Sequence, residues 1–106
     1  MKYTVRTTRG KQRLVEVEFK DERYCLIGEM LLAERPFLNQ IIHTLDKALE
    51  NGATAEAFSG NAFSIEANSE TSKITNDIND SKAEAPTKEL KKLVKAYKNQ
   101  YDKIKR

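Results

Sequence analysis

A chain of 106 residues with a formal net charge of +3 has room for one domain and one modest core, and needs no staples to hold it. Hydrophobic residues at 39% and charged residues at 33% predict a small core beneath a heavily solvated surface. The single cysteine, Cys25, excludes an internal disulfide and any zinc site built on paired cysteines, and no apolar run approaches the length that spans a bilayer.

Tyr3, Val5 and Thr7 alternate with polar residues, and so do Val15, Val17 and Phe19. Period-2 patterns rich in β-branched and aromatic residues predict two strands. Thr8–Gln12, a polar link with Gly10, would join them as a hairpin, with Glu16 and Glu18 facing water beside Arg6 or Lys2. The same alternation at Met1–Lys20 is not a basic-then-apolar leader, so a reducing, cytoplasmic location is expected. Asp21-Glu22 reads as a turn and Arg23–Ile27 as a third strand ended by Gly28; Met30–Ala33 is ambiguous, a first helical turn leading into the main helix being the reading it offers. Pro36 disfavours helix at the residue before it and places a break near Arg35.

Pro36–Gly52 is the main predicted helix. Leu38, Ile41, Ile42, Leu45, Ala48 and Leu49 fall on one stripe, Pro36 suits the first turn, and Asn51-Gly52 suits the end. A short strand at Thr54–Phe58 precedes the Ser59-Gly60-Asn61 turn, and a hairpin is predicted over 62–78 with Phe63 and Ile65 on one face. Residues 79–86 lack periodicity and are expected to form a mobile loop. Thr87 would cap a terminal helix by accepting a backbone N–H, and Leu90, Leu93, Val94, Tyr97, Tyr101 and Ile104 form its stripe. The expected architecture is a single α+β domain over residues 1–106, β-β-(β)-α-β-β-α: one antiparallel sheet of two hairpin regions, with two amphipathic helices packed on one face.

Charge is unevenly distributed. Residues 1–20 carry six Lys/Arg and two Asp/Glu, residues 21–85 five and twelve, and residues 86–106 eight and two. His43 is the only histidine, on the polar face of the main helix with Asp46 three residues on; no second histidine or cysteine can complete a site with it. Cys25 has only Arg23 as a nearby cation and is expected to be packed or half-buried. Asn76–Asp80 carries oxygen ligands but lacks the Gly and the bidentate Glu of a helix–loop–helix calcium site. Glu16, Glu18, Glu66, Glu70, Asp77 and Asp80 read as a solvated acidic surface, and the four glycines stand singly at turns rather than in a phosphate-cradling loop. No catalytic, cofactor-binding or metal-binding residue is therefore assigned.

From Phe58 the segments Phe-Ser-Gly-Asn-Ala-Phe-Ser-Ile-Glu, Lys-Ile-Thr-Asn-Asp and Thr-Lys-Glu-Leu-Lys-Lys-Leu-Val-Lys-Ala-Tyr resemble small bacterial orphan proteins, some of which look like toxin-neutralising immunity proteins. The resemblance covers about the last half of the chain and implies action by binding; the lysine-rich helix departs from the more acidic one such proteins would carry. The leading expectation is a non-enzymatic bacterial protein-binding module, of immunity or inhibitor type, using charges on the outer face of the main helix or the 62–78 hairpin. The alternative is a nucleic-acid-binding accessory protein using Lys91, Lys92 and Lys95 with Arg6 and Arg9, supported by Lys11 and Arg13. A small enzyme built around His43 and Asp46 is the third class. No cofactor is expected, and an exposed part of either helical stripe would favour a homodimer.

Overall fold

The computed structural model describes residues 1–10, 13–52 and 54–104. Lys11 and Gln12 of the first link, and Ala53, lie outside the described residues. Nine elements follow in order: β1 (Tyr3–Thr7), β2 (Val15–Phe19), α1 (Cys25–Ala33), α2 (Leu38–Asn51), β3 (Glu56–Ser59), β4 (Phe63–Ala67), β5 (Thr71–Asn76), β6 (Lys82–Pro86) and α3 (Thr87–Ile104). Single 3-10 turns at Glu22–Tyr24 and Arg35–Phe37 lead into α1 and α2.

The architecture is α+β, but the expected single sheet with two helices is replaced by two sheets and three helices. β1 and β2 pair antiparallel only with each other, in the register Tyr3–Phe19, Val5–Val17 and Thr7–Val15. β3–β4–β5–β6 form a separate antiparallel meander. Helices α1 and α3 touch strands of both sheets, so the first hairpin packs across helices instead of extending the meander.

Arg23–Ile27, expected as a strand, contains the start of α1. A short apolar run fits both periods. Ile27, Met30 and Leu31 are fully buried at helical spacing, and that wider pattern decides the matter. Gly28, expected to end a strand, lies inside the helix. The expected mobile loop at 79–86 is a correction of the same kind. Lys82–Pro86 forms β6, with Ala83 and Ala85 turned into the core and Lys82 and Glu84 outward. Alanine carries too little apolar area to announce a strand, and Pro86 is tolerated because β6 is an edge.

The break around Pro36 and the two long helices follow the predicted pattern. Leu38, Ile41, Leu45 and Ala48 are buried on α2, and Gly52 ends the helix at φ 67°, where a side chain would be strained. On α3, Leu90, Leu93, Val94 and Tyr97 are buried. They share one hydrophobic core with Phe58, Phe63, Ile65 and Ile74 of the meander and Val15 of the hairpin. Each such side chain, when fully buried, contributes about 1.5–3 kcal/mol. Thr87 does not cap α3 as predicted. Its buried hydroxyl donates to the Asn68 carbonyl at 2.7 Å and accepts from Ser72 Oγ at 2.8 Å, pinning the start of α3 to the β4–β5 turn.

Tyr97 is 1% exposed, and its hydroxyl has no hydrogen-bond partner among the described residues. Burial pushes its pKa up to about 12; Arg35 opposes the shift and Tyr101 adds to it. The unfolded chain ionises this phenol near its ordinary value of about 10. Between those values the folded state holds the extra proton, so stability falls as pH rises. Tyr97→Phe is expected to abolish that part of the fall. At neutral pH the variant should be equal to the parent or up to about 1 kcal/mol more stable, because it removes an unpaired polar atom. Urea titrations of both proteins between pH 7 and pH 12 measure the difference.

Candidate interaction surfaces

The side chains that the sequence offers for chemistry are not gathered. His43 is exposed on α2, and Cys25 is exposed at the start of α1, a correction to the expected packed position. Among the described residues, no three His, Cys, Asp or Glu side chains come together as a metal site. The acidic turn at Asn76–Asp80 uses its oxygens internally. Asn76 Oδ1 accepts from Ile78 N, Asn79 Oδ1 accepts from Ser81 N, and Asp77 Oδ2 accepts from Ser64 Oγ at 2.6 Å. Asp80 takes the left-handed conformation at φ 62° that closes the turn.

One acidic residue escaped the pattern reading altogether. Glu34, expected neither in the core nor at a site, is completely buried between α1 and α2. Its carboxylate accepts from Asn61 N at 2.7 Å, Ala62 N at 2.8 Å and Phe63 N at 3.0 Å. Three successive backbone donors thus converge on one anion and lock the β3–β4 turn to the helical layer. Gly60 makes the approach possible, because a Cβ there would collide with the Glu34 carboxylate and crowd the Phe58 ring at 3.0 Å. A carboxylate between the apolar run Met30–Ala33 and Phe37-Leu38 was the available signal.

Among the described residues no helix covers the outer face of the meander. Strand register aligns Ala57, Glu66, Lys73 and Glu84 in one outward row, and Ser59, Ser64, Thr75 and Lys82 in the next. These rows line a shallow depression of about 510 Å³. Among the described residues, Glu66, Lys73, Lys82 and Glu84 form no ion pair. At the end of this face the β5–β6 turn presents Ile78, 82% exposed.

The basic residues divide into paired and unpaired groups. Arg6 is held at 2.9 Å by Glu18 and at 3.9 Å by Glu16, the cross-strand pairing expected for the hairpin. Lys91 pairs with Asp46 across the α2–α3 contact, and Lys98 pairs with Asp102 at 2.6 Å. Lys92 and Lys95 are exposed and form no ion pair among the described residues. Arg9 and Arg13 line an open depression at the hairpin link with Thr7, Thr8 and Gly10; Lys11 lies outside the described residues. Of the five cations singled out in the sequence, Arg6 and Lys91 are therefore tied to carboxylates, whereas Arg9, Lys92 and Lys95 are not.

Among the described residues no helix is long and apolar enough to cross a membrane. In comparisons with known proteins, no family model, no curated protein and no solved structure matches the chain.

Proposed function

We propose that the chain is a non-enzymatic protein-binding module of the immunity or inhibitor kind, and that it docks through the outer face of β3–β6. The observation that supports this is the open charged sheet bordered by Ile78. A large apolar side chain 82% exposed at a hydrogen-bonded turn does nothing for the fold, and it is the kind of anchor that fills a partner's pocket. Around it Glu66, Asp77, Asp80 and Glu84 outnumber Lys73 and Lys82, so the matching surface is a predominantly basic protein with a small apolar pocket.

The test uses the immobilised full chain in nuclease-treated lysate, with capture read by mass spectrometry. Ile78→Asp and the pair Glu66→Lys, Glu84→Lys are each expected to reduce a captured protein at least tenfold while leaving the thermal melt unchanged. Replacing Lys92 and Lys95 by Gln should leave that capture intact. A partner retained equally by both face variants would overturn the assignment of this surface.

A further inference from the structure

α3 presents a second surface, on the inner side of the meander and separate from its outer face. Its exposed positions are Lys88, Lys92, Lys95, Asn99 and Lys103, which recur at steps of three or four residues and so form one straight stripe. None of the four lysines pairs with a carboxylate among the described residues, and the two acids of α3 are occupied elsewhere. Glu89 holds the Met1 amine at 2.9 Å, and Asp102 holds Lys98. From Lys88 to Lys103 the stripe runs about 22 Å at about 1.5 Å per residue. A hydrogen bond of 3.5 Å between Thr7 Oγ1 and Gln100 Oε1 ties the end of β1 to the last turns of α3. The hairpin link with Arg9 and Arg13 thereby lies toward the same end as Lys103.

We infer that Lys88, Lys92, Lys95 and Lys103, extended by Arg9 and Arg13, form a contact surface for the phosphate backbone of a nucleic-acid duplex. The stripe contains no apolar or aromatic side chain. A protein partner would need such anchors, and lysine is depleted from protein interfaces. Phosphates need none, because released counterions supply the affinity. The lack of an aromatic also removes the stacking platform that single strands use. Four flexible lysine ammonium groups act as point charges rather than as a planar fork aimed at base edges, so the stripe meets the phosphate backbone and binds without regard to sequence.

Anisotropy of a labelled 20-base-pair DNA duplex of arbitrary sequence, titrated with the full chain from about 20 to 200 mM salt, tests this. Four to six phosphate contacts predict a slope of log affinity on log salt between about −3.5 and −5.5. Replacing Lys92, Lys95 and Lys103 by Gln should make that slope shallower by about 3. The control replaces Lys20, Lys73 and Lys82 by Gln, which removes the same charge elsewhere, and should change the slope by less than about 1. Circular dichroism of both triple variants checks that they fold, as expected for exposed lysines. No duplex binding at about 20 mM salt, or equal losses in the two triple variants, would overturn the proposal. Competition by polyglutamate as effective as that by unlabelled duplex of equal charge would also overturn it, in favour of an acidic protein ligand.

Discussion

Replacing Glu34 by Ala is expected to lower the stability of the fold by about 3 kcal/mol in urea denaturation. The carboxylate accepts from three consecutive backbone N–H groups inside the protein. A buried donor left without a partner costs about 1–3 kcal/mol. The bond to Phe63 N is buried, whereas those to Asn61 and Ala62 are only partly so, and water can replace part of what is lost there. Removing the charge also relieves its own desolvation, which keeps the total below a sum of three. Hydrogen exchange should accelerate at these three amides while the β1–β2 amides stay protected. Glu34→Gln turns an amide group toward the same donors and should cost about 2 kcal/mol. Gly60→Ala forces a methyl against the carboxylate and should cost about 1–3 kcal/mol. The two sites share one space, so the double variant Glu34→Ala, Gly60→Ala should lose clearly less than the sum of the two. A Glu34→Ala variant within about 0.5 kcal/mol of the parent would show that the clamp does not hold the turn.

Leu93→Ala is expected to cost about 3 kcal/mol, whereas Lys92→Ala one residue earlier should cost less than about 0.5 kcal/mol. Leu93 is completely buried on α3, the helix that touches α2, the β1–β2 hairpin and the meander. Truncation opens a cavity that three surrounding layers cannot all close. Lys92 lies on the exposed stripe, where a side chain leaves only water behind. Denaturant midpoints of the two variants, with unchanged slopes, provide the comparison.

Much of the local structure was legible in the chain itself. The β1–β2 and β4–β5 pairings are written in alternating Val, Phe and Ile, and α2 and α3 in stripes of Leu, Ile and Val that the core absorbs. The misread segments are those where the signal is weak or shared between periods. α1 begins in a run of Cys, Leu and Ile too short to separate a strand from a helix. β6 buries only Ala83 and Ala85, so its apolar alternation is faint beside the charges and proline around it. Thr87 shows the same limit at the scale of one side chain. A threonine before a helix is a good cap, yet the nearby Asn68 carbonyl and Ser72 hydroxyl engage it instead.

For the interaction surfaces, composition marked α3 as basic but could not say which lysines are free. That depends on Asp46 lying opposite Lys91 across a helix contact, and on the hairpin register that places Glu16 and Glu18 beside Arg6. The outer face of the meander likewise exists only through register, which brings Glu66, Lys73 and Glu84 into one row from three strands.

The sequence by itself determined the positions of the long helices and the alternating strands, because backbone geometry converts the spacing of apolar residues into a face over a few turns or one strand. It also determined the uneven charge along the chain. Only the tertiary structure decided that the strands divide into two sheets, that Glu34 is buried beneath the Gly60 turn, and which cations remain unpaired. Those outcomes rest on contacts between residues far apart in the chain, such as Glu34 with Phe63 and Lys91 with Asp46. A carboxylate has the same composition whether water or three backbone amides surround it, and the packing of distant elements chooses between the two.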